Sequence, residues 1–70
     1  MKLRLTTKHC CHHFNAESEK DYVNFLYMLK DIEFANLNKY NDVFIEAYQA
    51  VKIYGGFQHN GEIYFKLEVA

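Results

Sequence analysis

The fold is decided by residues 51–69, whose sequence is VKIYGGFQHNGEIYFKLEV. Apolar and polar side chains alternate in both halves of this stretch, and a period of two is typical of a strand with one buried and one solvated face. The Asn60-Gly61 pair between the halves is typical of a tight turn. The stretch therefore predicts a β-hairpin whose two arms belong to one sheet.

The length of the turn sets which residues of the hairpin face each other. A two-residue loop would place apolar residues opposite polar ones, whereas a three-residue loop, residues 59–61, keeps the apolar residues together. We therefore expect the longer loop, provided that Gly55-Gly56 carries no bulge. The expected cross-strand pairs are Phe57 with Ile63, Ile53 with Leu67, and Val51 with Val69.

The rest of the chain supplies one further strand and two helices. Residues Lys2 to Thr7 alternate and predict the first strand. Apolar residues recur at helical spacing over residues 16–32, with Asn15 as the N-cap, and again over residues 39–50. The order is therefore β-α-α-β-β, in which the segment from His9 to His13 connects the first strand to the first helix.

This order predicts a single small α+β domain, residues 1–70, with two layers: a three-stranded, mainly antiparallel sheet and two helices packed on one face. The first strand could lie antiparallel beside the first hairpin arm or parallel beside the second. We expect the antiparallel arrangement, which is commoner and suits a sheet with one wet face. The last strand, Glu62 to Val69, is then a free edge, where a homodimer or a partner strand could add.

Composition excludes several classes of protein. The chain has 70 residues, half of them apolar, and a formal net charge of −1. A chain this short has one thin core, and its bulk charge drives binding to neither nucleic acids nor membranes. The sequence lacks a transmembrane stretch, and its start lacks the apolar run of a signal peptide, which predicts a cytoplasmic protein without a membrane partner. The adjacent Cys10 and Cys11 predict reduced thiols.

Five consecutive side chains are of the types that bind zinc: His9, Cys10, Cys11, His12 and His13. Their spacing is poor for one site, because neighbours in an extended chain point to opposite sides and no second group of ligands follows. We therefore favour a connection that holds no metal or other cofactor. A dimer that brings two such runs together is the zinc-binding alternative.

The sequence gives no support for catalysis. It has no paired carboxylates, no glycine-rich phosphate loop and no oxyanion motif. A cysteine nucleophile in the His-Cys run would need a base held by a third group and a pocket for the substrate. We therefore expect the protein not to be an enzyme.

The charges sort by predicted layer into two candidate surfaces. The outer face of the sheet is expected to carry basic and tyrosine side chains, namely Lys2, Arg4, Lys52, Tyr54, Tyr64 and Lys66. Such a face can stack bases and neutralise phosphates. The helices are expected to carry an acidic and partly apolar surface, which includes Tyr27, Met28, Asp31, Asp42 and Glu46. That surface could dock on a basic protein, although both patterns also suit plain solvated positions.

The expected function is that of a small, non-catalytic binding protein that occupies a surface on a larger protein or nucleoprotein complex. By analogy of size and composition, single-domain chains without a chemical motif can act as inhibitors, antitoxins or accessory factors, often on phages or mobile elements, and anti-CRISPR proteins belong to this class. Nucleic-acid binding through the sheet is the first alternative, and a zinc-binding dimer is the second.

Overall fold

The computed structural model describes residues 1–29 and 37–70. Within these residues the chain forms four strands, two α-helices and one 3₁₀ helix. In chain order they are β1 (Lys2–Thr7), β2 (Cys11–Asn15), α1 (Glu19–Leu29), the 3₁₀ helix (Leu37–Tyr40), α2 (Asn41–Tyr54), β3 (Gly56–Asn60) and β4 (Tyr64–Val69). The expected α+β class, with two helices and an antiparallel sheet, is confirmed. The expected number of three strands is wrong.

The additional strand is β2, which lies in the segment expected to be a connection. The described strands pair antiparallel in the order β2-β1-β4-β3. After β1 the chain turns back at once, with the Thr7 N–H donating to the Cys10 carbonyl at 2.8 Å. Phe14 then lies opposite Leu3 and stacks on Phe25 with ring centroids 3.9 Å apart. This aromatic contact explains why the segment forms a strand although its own sequence hardly indicates one.

β4 is an interior strand of the described sheet. It pairs with β1 on one side, where Leu67 lies opposite Leu5, and with β3 on the other. The expected free edge at Glu62 to Val69 is therefore wrong, and a homodimer has no open edge to use there. Both expected positions of the first strand are wrong too, since β1 runs antiparallel to the last strand. Among the described strands the edges are β2 and β3.

α2 extends through residues that were expected to start the hairpin. Val51 is buried one turn after Ala47 and Tyr48, so it continues the apolar stripe of the helix instead of starting a strand. Gly55 then adopts a φ of 84° and donates its N–H to the Val51 carbonyl at 2.9 Å. This left-handed glycine ends the helix. The expected helix 39–50 therefore stops too early.

The later start of the hairpin shifts its register. Phe57 lies opposite Leu67 and His59 lies opposite Phe65, so the expected pairing of Phe57 with Ile63 is wrong. The turn comprises residues 61–63, with the Gly61 N–H donating to the Ile63 carbonyl at 3.1 Å. The observed turn lies two residues later than the expected turn at residues 59–61. A shift by two residues keeps each side chain on its face of the sheet, so apolar side chains still lie opposite one another.

α1 begins later than the sequence indicates. The hydroxyl of Ser18 accepts a hydrogen bond from the Asp21 N–H at 3.3 Å and thereby caps the helix. Asn15, the expected cap, instead lies in β2 opposite Lys2. The part of the expected helix beyond residue 29 lies outside the described residues.

The buried core draws on both helices and on alternate residues of the central strands. Its large members are Leu3, Leu5, Tyr22, Leu26, Leu29, Phe44, Tyr48, Val51, Phe65 and Leu67. Phe44 of α2 stacks on Phe65 of β4 with ring centroids 4.3 Å apart, which ties the helix to the middle of the sheet. No helix within the described ranges is long and apolar enough to cross a membrane.

Candidate functional site

The strand residues that alternate with the buried ones form a polar surface, which we call the open face. Its members, from β2 across to β3, are Cys11, His13, Asn15, Lys2, Arg4, Thr6, Tyr64, Lys66, Glu68, Gln58 and Asn60. Of the six side chains predicted for a sheet surface, Lys2, Arg4, Tyr64 and Lys66 share this face. They do so because β1 and β4 keep the alternation that the sequence shows.

Glu68 offsets part of the positive charge of the open face. Arg4 places Nη2 2.8 Å from Glu68 Oε1 and donates from Nε to the same oxygen at 3.0 Å. Lys66 Nζ lies 3.7 Å from Glu68 Oε2. The hydrogen bond from Arg4 holds the pKa of the Glu68 carboxyl below its ordinary value. Two cations of this face, Arg4 and Lys66, therefore share the Glu68 carboxylate.

Lys52 and Tyr54 do not lie on the sheet, so their expected place on its surface is wrong. Both belong to the last turn of α2. The Lys52 Nζ lies 5.6 Å from the ring centroid of Tyr48 on the same helix. The error follows from the hairpin prediction, because a period of two was applied to residues that continue a helix.

The predicted helical surface is divided between two helices. Tyr27 and Met28 are exposed in the last turn of α1, and Asp42 and Glu46 are exposed in the first half of α2. Asp31 lies outside the described residues.

Three exposed apolar side chains surround the end of α2. Ile53 is 72% exposed, Tyr54 80% and Val69 46%. The Val69 N–H donates to the Gly55 carbonyl at 3.1 Å, which brings the end of β4 to the end of the helix. We call Ile53, Tyr54 and Val69 the Gly55 patch. Sequence reasoning missed it because Ile53 and Val69 were assigned to the buried face of the hairpin.

A signal for the patch exists in the sequence once α2 is extended. Asp42, Glu46 and Ile53 are spaced i, i+4 and i+11, which places them on one side of a helix. All three are exposed. The outer side of α2 therefore carries two carboxylates and ends at the Gly55 patch.

The His-Cys run is divided among three positions of the fold. His9 and Cys10 form the turn between β1 and β2, where the Cys10 N–H donates to Thr7 Oγ1 at 3.1 Å. His12 is directed away from the open face, and its ring centroid lies 6.2 Å from that of Phe25. Cys11 and His13 alone belong to the open face.

Cys11 and His13 lie close together on the exposed edge strand. Cys11 Sγ is 3.7 Å from His13 Nε2, and the Thr6 hydroxyl donates to the same sulfur at 3.7 Å. Neither cysteine forms a disulfide. Within residues 1–29 and 37–70, no group of three or more His, Cys, Asp or Glu side chains is arranged to hold a metal.

A shallow groove lies between the start of α1 and the second half of α2. Glu17, Glu19 and Lys52 line it beside Ser18 and Tyr48. The Ser18 hydroxyl accepts the hydrogen bond from the Asp21 N–H that caps α1. Its presence in the groove is therefore explained by this capping role. The Cys11–His13 pair does not line this groove. Its thiol and imidazole therefore lie on a surface of the sheet and not in this concave site.

No protein-family model, no curated protein and no solved structure matches the chain.

Proposed function

We propose that the chain is a small, non-catalytic binding protein that covers a surface of a larger protein or nucleoprotein complex with the outer side of α2. The observation that supports the proposal is the exposure of two neighbouring apolar side chains, Ile53 at 72% and Tyr54 at 80%. Contiguous exposed apolar surface marks interaction sites more often than scattered single residues do. Tyrosine is also enriched at interfaces, because its ring is apolar and its hydroxyl can remain hydrated.

The energy available from this patch is sufficient to anchor a contact. Fully burying an aliphatic or aromatic side chain is worth about 1.5–3 kcal/mol. Ile53, Tyr54 and Val69 together offer about two such increments, because each side chain is already partly buried. A few central anchors of this kind carry most of the binding energy at known interfaces.

The charge beside the patch indicates the chemistry of the partner. Asp42 and Glu46 lie on the same side of α2 as Ile53 and are exposed. The partner is therefore a protein surface with an apolar pocket flanked by basic side chains, toward which the carboxylates steer the chain. In the proposal, Tyr27 and Met28 of α1, which are exposed, extend this contact.

A chain that acts by covering a surface needs no catalytic group. The proposed biological role is that of a cytoplasmic inhibitor, of the antitoxin or anti-CRISPR kind carried by phages and mobile elements.

In the proposal the helices form one layer and the sheet the other, so that α2 and the open face lie on opposite sides.

Affinity purification from the organism that encodes the chain tests the proposal. Three tagged proteins are compared: the wild type, the double variant Ile53→Glu with Tyr54→Glu, and the control Lys2→Glu with Lys66→Glu on the open face. We expect one protein to be captured by the wild type and the control and lost from the helix variant. Circular dichroism checks that each variant folds. Capture that is equal for the helix variant and the wild type contradicts the proposal, and so does the absence of any captured macromolecule.

Nucleic-acid binding through the open face is the second candidate. The observation that favours it is the common face of Lys2, Arg4, Lys66 and Tyr64, which could contact phosphates and stack a base. Affinity for single-stranded oligonucleotides should then fall steeply with salt, and Lys2→Ala with Lys66→Ala should reduce the slope of log affinity against log salt by about 1–2. A failure to retard single-stranded DNA or RNA at low salt removes this candidate.

A further inference from the structure

We infer that Cys11 and His13 are one half of a zinc site, which a second copy of the chain completes when the β2 edges of the two copies pair. The inference uses the edge of the sheet and is independent of the function proposed for α2.

The two side chains already have the spacing of ligands on one metal ion. Zinc binds cysteine sulfur at about 2.3 Å and histidine nitrogen at about 2.0–2.1 Å in a tetrahedron, which places such a sulfur and nitrogen about 3.6 Å apart. The observed distance from Cys11 Sγ to His13 Nε2 is 3.7 Å. Both residues are exposed, so a metal ion can reach them without a change in the core.

One chain supplies only half of the ligands in the part that the structure describes. A structural zinc site takes four, and the described residues hold no group of three candidate ligands. His12 cannot join the pair, because it is directed to the side of the sheet where Phe25 lies. In the proposal the remaining ligands come from a second molecule, since an identical chain offers the same pair.

The backbone of β2 is oriented to accept such a copy. The Cys10 carbonyl accepts from the Thr7 N–H at 2.8 Å, and the Ala16 N–H donates to the Met1 carbonyl at 2.9 Å. Because backbone groups alternate in direction along a strand, positions 10, 12, 14 and 16 bond to β1. Cys11, His13 and Asn15 therefore direct their N–H and carbonyl groups away from the sheet, along its outer edge. Edge strands are commonly protected by charged residues or proline, and β2 contains neither.

Symmetric pairing of two β2 strands brings the half-sites together in one register. With His12 opposite His12 of the second copy, Cys11 lies opposite His13 of the second copy on each side of the two-fold axis. These positions carry the outward backbone groups, so they form hydrogen-bonded pairs with Cα atoms about 5.5 Å apart. All four side chains then lie on the same face. In the alternative register, His13 lies opposite His13 of the second copy and Cys11 lies opposite Asn15 of the second copy. Zinc binding therefore favours the first register, in which each cysteine lies opposite a histidine.

The surroundings of the pair suit a zinc thiolate. The Thr6 hydroxyl donates to Cys11 Sγ at 3.7 Å, and hydrogen bonds of this kind orient a ligand and tune its donor strength. On binding, each cysteine thiol releases its proton to water, and the two thiolates balance the charge of Zn²⁺. The resulting Cys₂His₂ set is one that structural zinc sites use.

The test is a zinc titration of the reduced, metal-free chain, followed by native mass spectrometry and sedimentation. We expect one zinc ion per two chains and a dimer that forms only with zinc. Cys11→Ser and His13→Gln should abolish both effects, whereas Cys10→Ser and His9→Gln, which alter the neighbouring turn, should leave them intact. Thr6→Val should weaken zinc binding by about 10- to 100-fold.

Circular dichroism of the metal-free variants shows whether they fold. We expect them to fold, because the substituted side chains of Cys11 and His13 are exposed. The inference is overturned if the chain binds no zinc, if one zinc binds per monomer without association, or if Cys11→Ser dimerises with zinc like the wild type. None of these outcomes bears on capture of a partner by α2, so the two proposals fail separately.

Discussion

The ring of Tyr22 stacks on the ring of Tyr48 with centroids 5.1 Å apart, and this contact joins α1 to α2 inside the core. Tyr22 is fully buried. Its hydroxyl has no hydrogen-bond partner among the described residues, and burial raises its pKa well above the ordinary value. The stacking therefore stabilises the core at the expense of one unsatisfied polar atom.

Replacing Tyr22 by phenylalanine should raise the free energy of unfolding by about 1 kcal/mol, because an unsatisfied buried hydroxyl costs about 1–3 kcal/mol. Urea denaturation measures the change. Tyr54→Phe serves as the control, since that side chain is 80% exposed and should change stability by less than about 0.5 kcal/mol. A loss of stability in Tyr22→Phe would show that the hydroxyl has a partner.

Replacing Gly55 by alanine should lower the free energy of unfolding by about 1 kcal/mol. The left-handed conformation costs a residue with a Cβ about 1–2 kcal/mol, and the reduced freedom of the unfolded chain offsets part of this. The φ of Gly55 is +84° and an added Cβ would contact nothing within 4 Å, so the effect isolates the backbone term. The matched control is Gly56→Ala, where a Cβ would meet the Leu67 carbonyl oxygen at 3.8 Å, an ordinary contact. Equal effects at the two glycines would contradict the assigned helix end.

Stability should fall in acid partly through Glu68. Its pKa is lowered in the folded state, first by the hydrogen bond from Arg4. A lowered pKa contributes stability that is present above the unfolded value and is lost as the pH falls through the folded value. Between about pH 6 and about pH 3, the wild type should therefore lose more stability than Glu68→Gln. Denaturation curves at several pH values measure the difference, and identical slopes for the two proteins would show that the pair contributes nothing.

Phe25→Ala should loosen β2 selectively. Its ring stacks on Phe14 at 3.9 Å, and both side chains are half-buried, so the change should cost about 2–3 kcal/mol, somewhat less than for a fully buried phenylalanine. Hydrogen exchange should accelerate at the amides of His12 and Phe14, which bond to β1. Phe57→Ala is the control, because Phe57 packs beside Phe65 at the opposite edge. An equal acceleration at both edges would indicate general destabilisation instead.

The candidate surfaces were predictable only where the periodicity was unambiguous. Lys2, Arg4, Tyr64 and Lys66 share a face because β1 and β4 alternate without interruption in the sequence. Lys52 and Tyr54 were misplaced because residues 51–54 satisfy both a period of two and the end of a helical stripe. Four residues are too few to distinguish a strand from the end of a helix, because Val51 would be buried in either structure.

The sequence by itself determined the α+β class, the first strand, the existence of both helices and the central part of their apolar stripes, because these depend on side-chain period alone. Only the tertiary structure decided where residues 51–69 change from helix to strand and what the His-Cys run becomes. Gly55 ends α2 and is joined to β4 by the hydrogen bond from the Val69 N–H to its carbonyl, and β2 forms where Phe14 reaches Phe25. Both events rest on contacts between residues distant in the chain. The same fold leaves Ile53 exposed at the end of α2 and places Cys11 and His13 on β2, at an edge of the described sheet.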